Sequence, residues 1–323
     1  MPHPAVLTSF PSSPSFLPLI LSAAMRMRLL SLLGAGAGAH TPFDAAHAYV
    51  TSPLVRPGVL AGVRGVLALY ALVAICVALG VDVGDGSGKS FLSFFTNLSY
   101  TGVVAYYVAA AVQTAAYARW GTYPLRRWPR ALQAAHVVLQ STVVVFPIIV
   151  TVVFWALLSS PDTFKTTYST WSNISIHGLN SLWALLEILF TNAPPAPWLA
   201  LPLQIALLGG YLGVAYVTHA TQGFYTYSFL DPAAQGALLA AYIVGIAGGD
   251  VVVFLAGRGV VVLRQRWAVR TGRAPKPDVP EQEALEEWEE VQRQDAEGGE
   301  REKRRGDVND SGVAVGRAEE EAV

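Results

Sequence analysis

Long apolar runs separated by short polar connectors dominate the first 260 residues. The first run, VLAGVRGVLALYALVAICVALGV, covers about 59–81, and others cover about 91–115, 134–158, 174–192, 198–221 and 233–257. Crossing ~30 Å of hydrocarbon takes about 20 mostly apolar residues. The pattern predicts an all-α chain, a polytopic membrane helix bundle of about six transmembrane helices. Residues 1–57 form an N-terminal segment that reads as mostly disordered or targeting-like, 58–270 the six-span domain, and 271–323 a disordered, charged cytoplasmic tail.

The polar residues inside the runs have a period of their own. In the fourth run Asn173, His177, Asn180, Ala184 and Glu187 fall at helical spacing on one face. Ser93, Asn97 and Tyr100, bordered by Thr96, do the same in the second, as do Gln204, Tyr211, Thr218, His219 and Gln222 in the fifth. Three polar seams predict helices that face one another around an interior polar cavity.

Charge then orients the bundle. The first 276 residues hold seven acidic and 16 basic residues, a net +9, whereas the tail is −10. Basic connectors alternate with non-basic ones, which predicts six crossings with both termini cytoplasmic. Membrane lipids are the expected surroundings, in the endoplasmic reticulum, another endomembrane or the plasma membrane. No nucleic-acid partner is expected. One cysteine, Cys76, excludes an intramolecular disulfide and a cysteine-based metal site and reads as a small packing residue. No metal or cofactor is expected.

Depth along the runs groups three residues. Thr96 lies ~8 Å inside the second run by helix rise, His177 a few residues inside the fourth, and His219 just before the end of the fifth. Alternating directions bring these ends to one side of the membrane. A hydroxyl needs a nearby base to become a nucleophile, and neutral imidazole is the usual one. Against that, span threonines commonly bond back to their own helix, and a span histidine can simply tie helices together. Ser93, Ser99 and Thr101 compete with Thr96 as the nucleophile. Glu187 lies ~15 Å deeper than His177, as a protonated hydrogen-bonder or part of an acyl tunnel. Arg64 and Asp250 read as a structural ion pair.

Three stretches resemble a known family. FFTNLSYTGVVAYY (94–107), NISIHGLNSLWALLEI (173–188) and GYLGVAYVTHATQGFYTYSFLD (210–231) are similar, in order and spacing, to segments of the androgen-induced and androgen-dependent TFPI-regulating protein family of multispan membrane hydrolases. Mammalian members hydrolyse fatty acid esters of hydroxy fatty acids with a threonine nucleophile and a histidine. The resemblance implies an enzyme, a carboxylic ester hydrolase, with Thr96 and His177 catalytic. His219, Asn180, Asn97, Glu187 and Ser93 would support the site or bind substrate. The chain departs from the family where a histidine pair is reduced to His219 followed by Ala220. The expected function is an integral membrane lipid-ester hydrolase with an intramembrane Thr/His centre. The alternative is a non-enzymatic multispan protein: a lipid or ion transporter, a sensor or a scaffold.

Overall fold

The computed structural model describes residues 43–275. All regular structure among these residues is helical. Six long helical segments follow in order. α1 is Pro57–Gly84 and α2 is Phe95–Trp120. α3 runs from Arg130 to Leu158, with a break between Val143 and Phe146 and a π-helical last turn, Phe154–Leu158. α4 comprises Thr167–Asn173, a π-helical turn Ile174–Gly178, and Leu179–Phe190. α5 is Ala200–Gln222 and α6 is Leu238–Arg270.

Four of these, α1, α3, α5 and α6, are long and apolar enough to cross a membrane, at 28, 29, 23 and 33 residues. α2 is long enough but carries Thr, Asn, Ser, Gln and five tyrosine or tryptophan residues, and α4 is broken by its π turn. These two bury Thr96, Gln113, Thr114, Ser175, Asn180 and Glu187 against other helices. Outward positions of the long helices are apolar and bare: Val66, Leu69, Val244 and Leu263 are each more than 60% exposed. Water would penalise such a surface and lipid would not.

Local sequence explains where helices begin and end. Pro57 sits in the first turn of α1, where its missing N–H costs nothing. Thr166 and Ser169 cap α4 reciprocally, each side-chain oxygen accepting the other's backbone N–H at 3.0 and 2.9 Å. Gly121 and Gly223 end α2 and α5 at φ 69° and 81°, the left-handed region that closes a helix without steric strain. Pro147 follows the α3 break, since it has no N–H to continue the ladder.

α1 packs along α2 through a seam of Ala68, Ala71, Ala74 and Ala78, all buried. Small residues allow the two backbones to approach closely. α3 packs on α2 and α4, and α6 packs on α3, α4 and α5. Residues 43–56, the described part of the N-terminal segment, fold onto one end of the bundle. Phe43, Tyr49 and Val50 are buried there, and Thr51 accepts two hydrogen bonds from Asn192, at its carbonyl and at its hydroxyl. The charged tail expected to be disordered lies outside the described residues from 276 onward.

Two expectations change. Arg64 does not pair with Asp250. Its guanidinium grips Glu187 at both oxygens, at 2.9 and 2.8 Å, and Asp250 is fully buried with neither oxygen hydrogen-bonded. Cys76 is exposed on the outer face of α1 and packs nothing inside.

Candidate active site

Thr96 stands in the first turn of α2, at the junction of two cavities. One holds about 200 Å³ and is almost wholly apolar, walled by α3, α5 and α6 through residues such as Ile149, Val153, Leu208 and Ile246. The other holds about 340 Å³ and is polar, with His177, Asn97, Asn173, Ser172 and Asp82 on its walls. Thr96, Phe154, Leu158 and Tyr227 line both.

The shared hydroxyl partner is a tyrosine. The Thr96 backbone N–H donates to the Tyr227 hydroxyl at 3.3 Å, and the two hydroxyls also lie 3.3 Å apart, where either can donate. Burial pushes the Tyr227 hydroxyl above its ordinary pKa, so it stays protonated at neutral pH. Its neighbour Tyr211 bonds the Thr226 hydroxyl at 2.9 Å and the Ser93 carbonyl at 3.2 Å. These bonds tie the α5–α6 connector to the start of α2.

His177 is set by two π-helical turns that meet. Its ring stacks on Phe154, centroids 3.6 Å apart and planes within 12°, and Trp155 Nε1 donates to the His177 carbonyl at 3.3 Å. Phe154 opens the π turn of α3 and His177 sits in that of α4. Such bulges recur at functional sites because one extra residue re-aims a side chain. The buried Nδ1 has no hydrogen-bond partner. Thr96 and His177 thus face one cavity without a hydrogen bond between them.

The other expected residues scatter. Asn97 lines the polar cavity and donates to the Phe91 carbonyl at 2.8 Å. Ser93 is buried beside Thr96 and lines neither cavity. Asn180 is completely buried, and neither its oxygen nor its nitrogen finds a partner. His219 stacks on Tyr225, centroids 3.9 Å apart, and is not on the wall of either cavity.

Glu187 belongs to a second polar centre. Besides Arg64 it accepts from the Tyr106 hydroxyl at 3.0 Å, and Arg64 also donates to Thr114 Oγ1 at 2.6 Å and the Tyr49 carbonyl at 2.8 Å. Arg64 and Glu187 are 1% and 2% exposed. Thr96 and Thr114 are separated by about 27 Å along α2 by helix rise. The two centres therefore sit at opposite ends of the bundle. The π turn Ile174–Gly178 interrupts regular helical spacing at the head of the seam read along the fourth run. Below it Asn180, Ala184 and Glu187 lie in regular helix and are all buried.

Sequence reasoning missed Tyr227, Phe154 and Asp82. Tyr227 lay inside a stretch that resembled the family, but a connector tyrosine has no periodicity to mark it. Phe154 read as one apolar residue among many.

Among the described residues, no group of three or more His, Cys, Asp or Glu is arranged to hold a metal ion. The profile of the FAR-17a/AIG1-like proteins matches residues 69–260, more than half of the chain. Neither a curated protein nor a solved structure matches it.

Proposed function

This chain belongs to the FAR-17a/AIG1-like family, and from that premise we propose that it is an integral membrane lipid-ester hydrolase, with Thr96 as nucleophile and His177 as general base. One observation supports this above the others: the Thr96 hydroxyl stands where an apolar cavity meets a polar one that His177 lines. An acyl chain in the first and a polar head in the second would set the ester carbonyl at Thr96. Bringing nucleophile and carbonyl together in this way is itself a large part of catalysis.

In the proposed reaction Thr96 Oγ attacks the carbonyl carbon and its proton passes to His177 across the cavity, directly or through a water. A proton on the buried Nδ1 would leave Nε2 as the basic nitrogen. Tyr227, protonated and within reach of Thr96, is the donor for the oxyanion. His177 returns the proton to the departing alcohol. Water then attacks the acyl-threonine, giving the free acid and restoring the hydroxyl. The family resemblance suggests fatty acid esters of hydroxy fatty acids as one substrate class. In the proposed orientation both termini are cytoplasmic and the site opens on the opposite face, in an endomembrane or the plasma membrane.

A second reading keeps the lipid and drops the chemistry. The Thr96 hydroxyl bonds Tyr227 and not His177, as in a lipid-binding sensor or transporter. Purified wild type, Thr96→Ala and His177→Ala, assayed on a panel of lipid esters, separate the two. The hydrolase reading expects each variant to fall about a hundredfold or more. Equal turnover in all three, or none in wild type, overturns it.

A further inference from the structure

The two ends of the bundle carry opposite charge. At one, Asp82 and Asp85 stand at the close of α1, Asp162 follows α3 and Asp231 precedes α6. At the other, Arg56 precedes α1, Arg119 lies in the last turn of α2, and Arg127 lies just before α3. Arg266 and Arg270 lie at the end of α6, and Arg273 follows them. These six arginines are all exposed. Ala193 joins the pieces of that end. Its carbonyl accepts from the buried Arg264 of α6, and it packs with Tyr49, Val50, Tyr123 and Leu125.

No exposed carboxylate lies at the arginine end among the described residues. Glu187 is buried against Arg64, and Asp44 is taken up by Tyr123 and two backbone N–H groups. None of the six exposed arginines has an ion-pair partner among the described residues.

The chain carries the missing charge itself. α6 ends at Arg270, so whatever follows it starts at the arginine end, whichever way the bundle faces in the membrane. Residues 281–300 hold nine acidic residues and one basic, a net −8. Glu281 lies eight residues past Arg273, a reach of up to about 28 Å when extended. A stretch so charged and so poor in apolar residues cannot build a core and takes its order from a partner. Exposed ion pairs are individually weak. Several acting together on a tethered segment gain from the high local concentration that the tether imposes. Anionic lipid head groups are the rival occupant, and to reach the arginines they would have to displace an acidic segment bound covalently beside them.

We propose that residues 281–300 dock on the arginine-faced end of their own bundle, so that this end is occupied by the chain's acidic segment and not by anionic lipid head groups. The proposal stands apart from the hydrolase reading and is tested without turnover.

The experiment uses the full chain in nonionic detergent with Cys76→Ala, since Cys76 is exposed and would take a label. Nitroxide labels on Ala131→Cys, an exposed position close to Arg127, and on Gly298→Cys report their separation by pulsed electron resonance. Spectra are taken in ~0.01 M and ~1 M salt, where charges act over about 30 Å and about 3 Å. Docking predicts one narrow distance population in low salt, replaced by a broad one in high salt. Arg127→Gln with Arg270→Gln and Arg273→Gln should lower the narrow population severalfold. Glu286→Gln, Glu287→Gln, Glu289→Gln and Glu290→Gln together should do the same from the other side. Only variants that melt like wild type are compared. A broad distribution in low salt, or a narrow one unmoved by either set of changes, overturns the proposal. So does a short distance between two chains that each carry one label, which places the segment on a neighbouring copy. The same measurement in phosphatidylcholine bilayers with and without phosphatidylserine decides between the two occupants. A narrow population that persists with phosphatidylserine sustains the proposal, and one that disappears assigns the arginines to lipid and overturns it.

Discussion

His177 lies flat on Phe154, ring centroids 3.6 Å apart, with each residue in its own π-helical turn. The stack fixes the plane of an imidazole whose nitrogens have few other ties. Phe154→Ala should lower kcat on a lipid ester about tenfold to a hundredfold, since a misplaced base loses about that much. Phe154→Leu keeps bulk without a flat face and should fall between. Steady-state kinetics on variants of matched melting temperature decide it. An unchanged kcat in Phe154→Ala would show that the ring only fills space.

Arg64 and Glu187 should matter to the fold and not to the chemistry. Both are buried, and each would be left as an uncompensated charge if the other were removed. Glu187→Ala should destabilise the protein by about 3–5 kcal/mol. The double variant Arg64→Met with Glu187→Leu should recover much of that and retain activity. Denaturation in detergent measures the first, turnover the second. A stable double variant without activity would place Glu187 in the reaction.

The bundle was legible in the sequence because apolar length is a strong signal: Pro57–Gly84 and Ala200–Gln222 lie close to runs read at 59–81 and 198–221. Depth and the alternation of charged connectors grouped Thr96, His177 and His219, and of these Thr96 and His177 share a cavity. The π turn at residues 174–178 was not foreseen, and Glu187 was read without its partner because Arg64 had been assigned to Asp250. Nothing in ISIHG announces that turn. Its stabilising contacts, Phe154 and Trp155, come from another helix. The Arg64–Glu187 pair spans 123 residues of sequence, beyond any periodicity argument. Asp250 was paired by depth, but its oxygens meet no donor.

Asp250 gives a prediction of the opposite sign from Glu187. A carboxylate with no partner and no exposed surface opposes folding. Asp250→Asn keeps the shape and removes the charge, so the melting temperature should hold or rise. A drop of several degrees would reveal that the carboxylate does work in the fold that its surroundings do not display.

The alanine seam sets how closely α1 and α2 meet. Ala71 and Ala74 have no exposed surface. Leucine at either position has nowhere to go without spreading the helices, at a cost of about 1–3 kcal/mol. Serine at Ala71 should be tolerated far better. Melting curves of Ala71→Leu and Ala71→Ser make the comparison, and equal melting would mean that the interface yields.

The docked N-terminal segment hangs on Asp44. Its carboxylate accepts the backbone N–H groups of Ala48 and Tyr49, at 2.7 and 3.0 Å, and the Tyr123 hydroxyl at 2.6 Å. Burial, and then the charge of Asp44, push the Tyr123 hydroxyl well above its ordinary value. The folded state therefore favours the protonated phenol. The stability this confers is fully present below the unfolded tyrosine pKa, about 10, and is lost as pH rises through the higher folded value. Wild type should melt at a temperature insensitive to this group up to about pH 10 and lower above it. Asp44→Ala should cost about 1–3 kcal/mol at neutral pH, the price of charged hydrogen bonds lost. It should also expose residues 43–56 to protease while α1 onward stays protected. Tyr123→Phe should remove the phenol's part of the alkaline slope and leave the two backbone bonds intact. Protection of the segment in Asp44→Ala equal to that in wild type would show that Phe43, Tyr49 and Val50 hold it by burial alone.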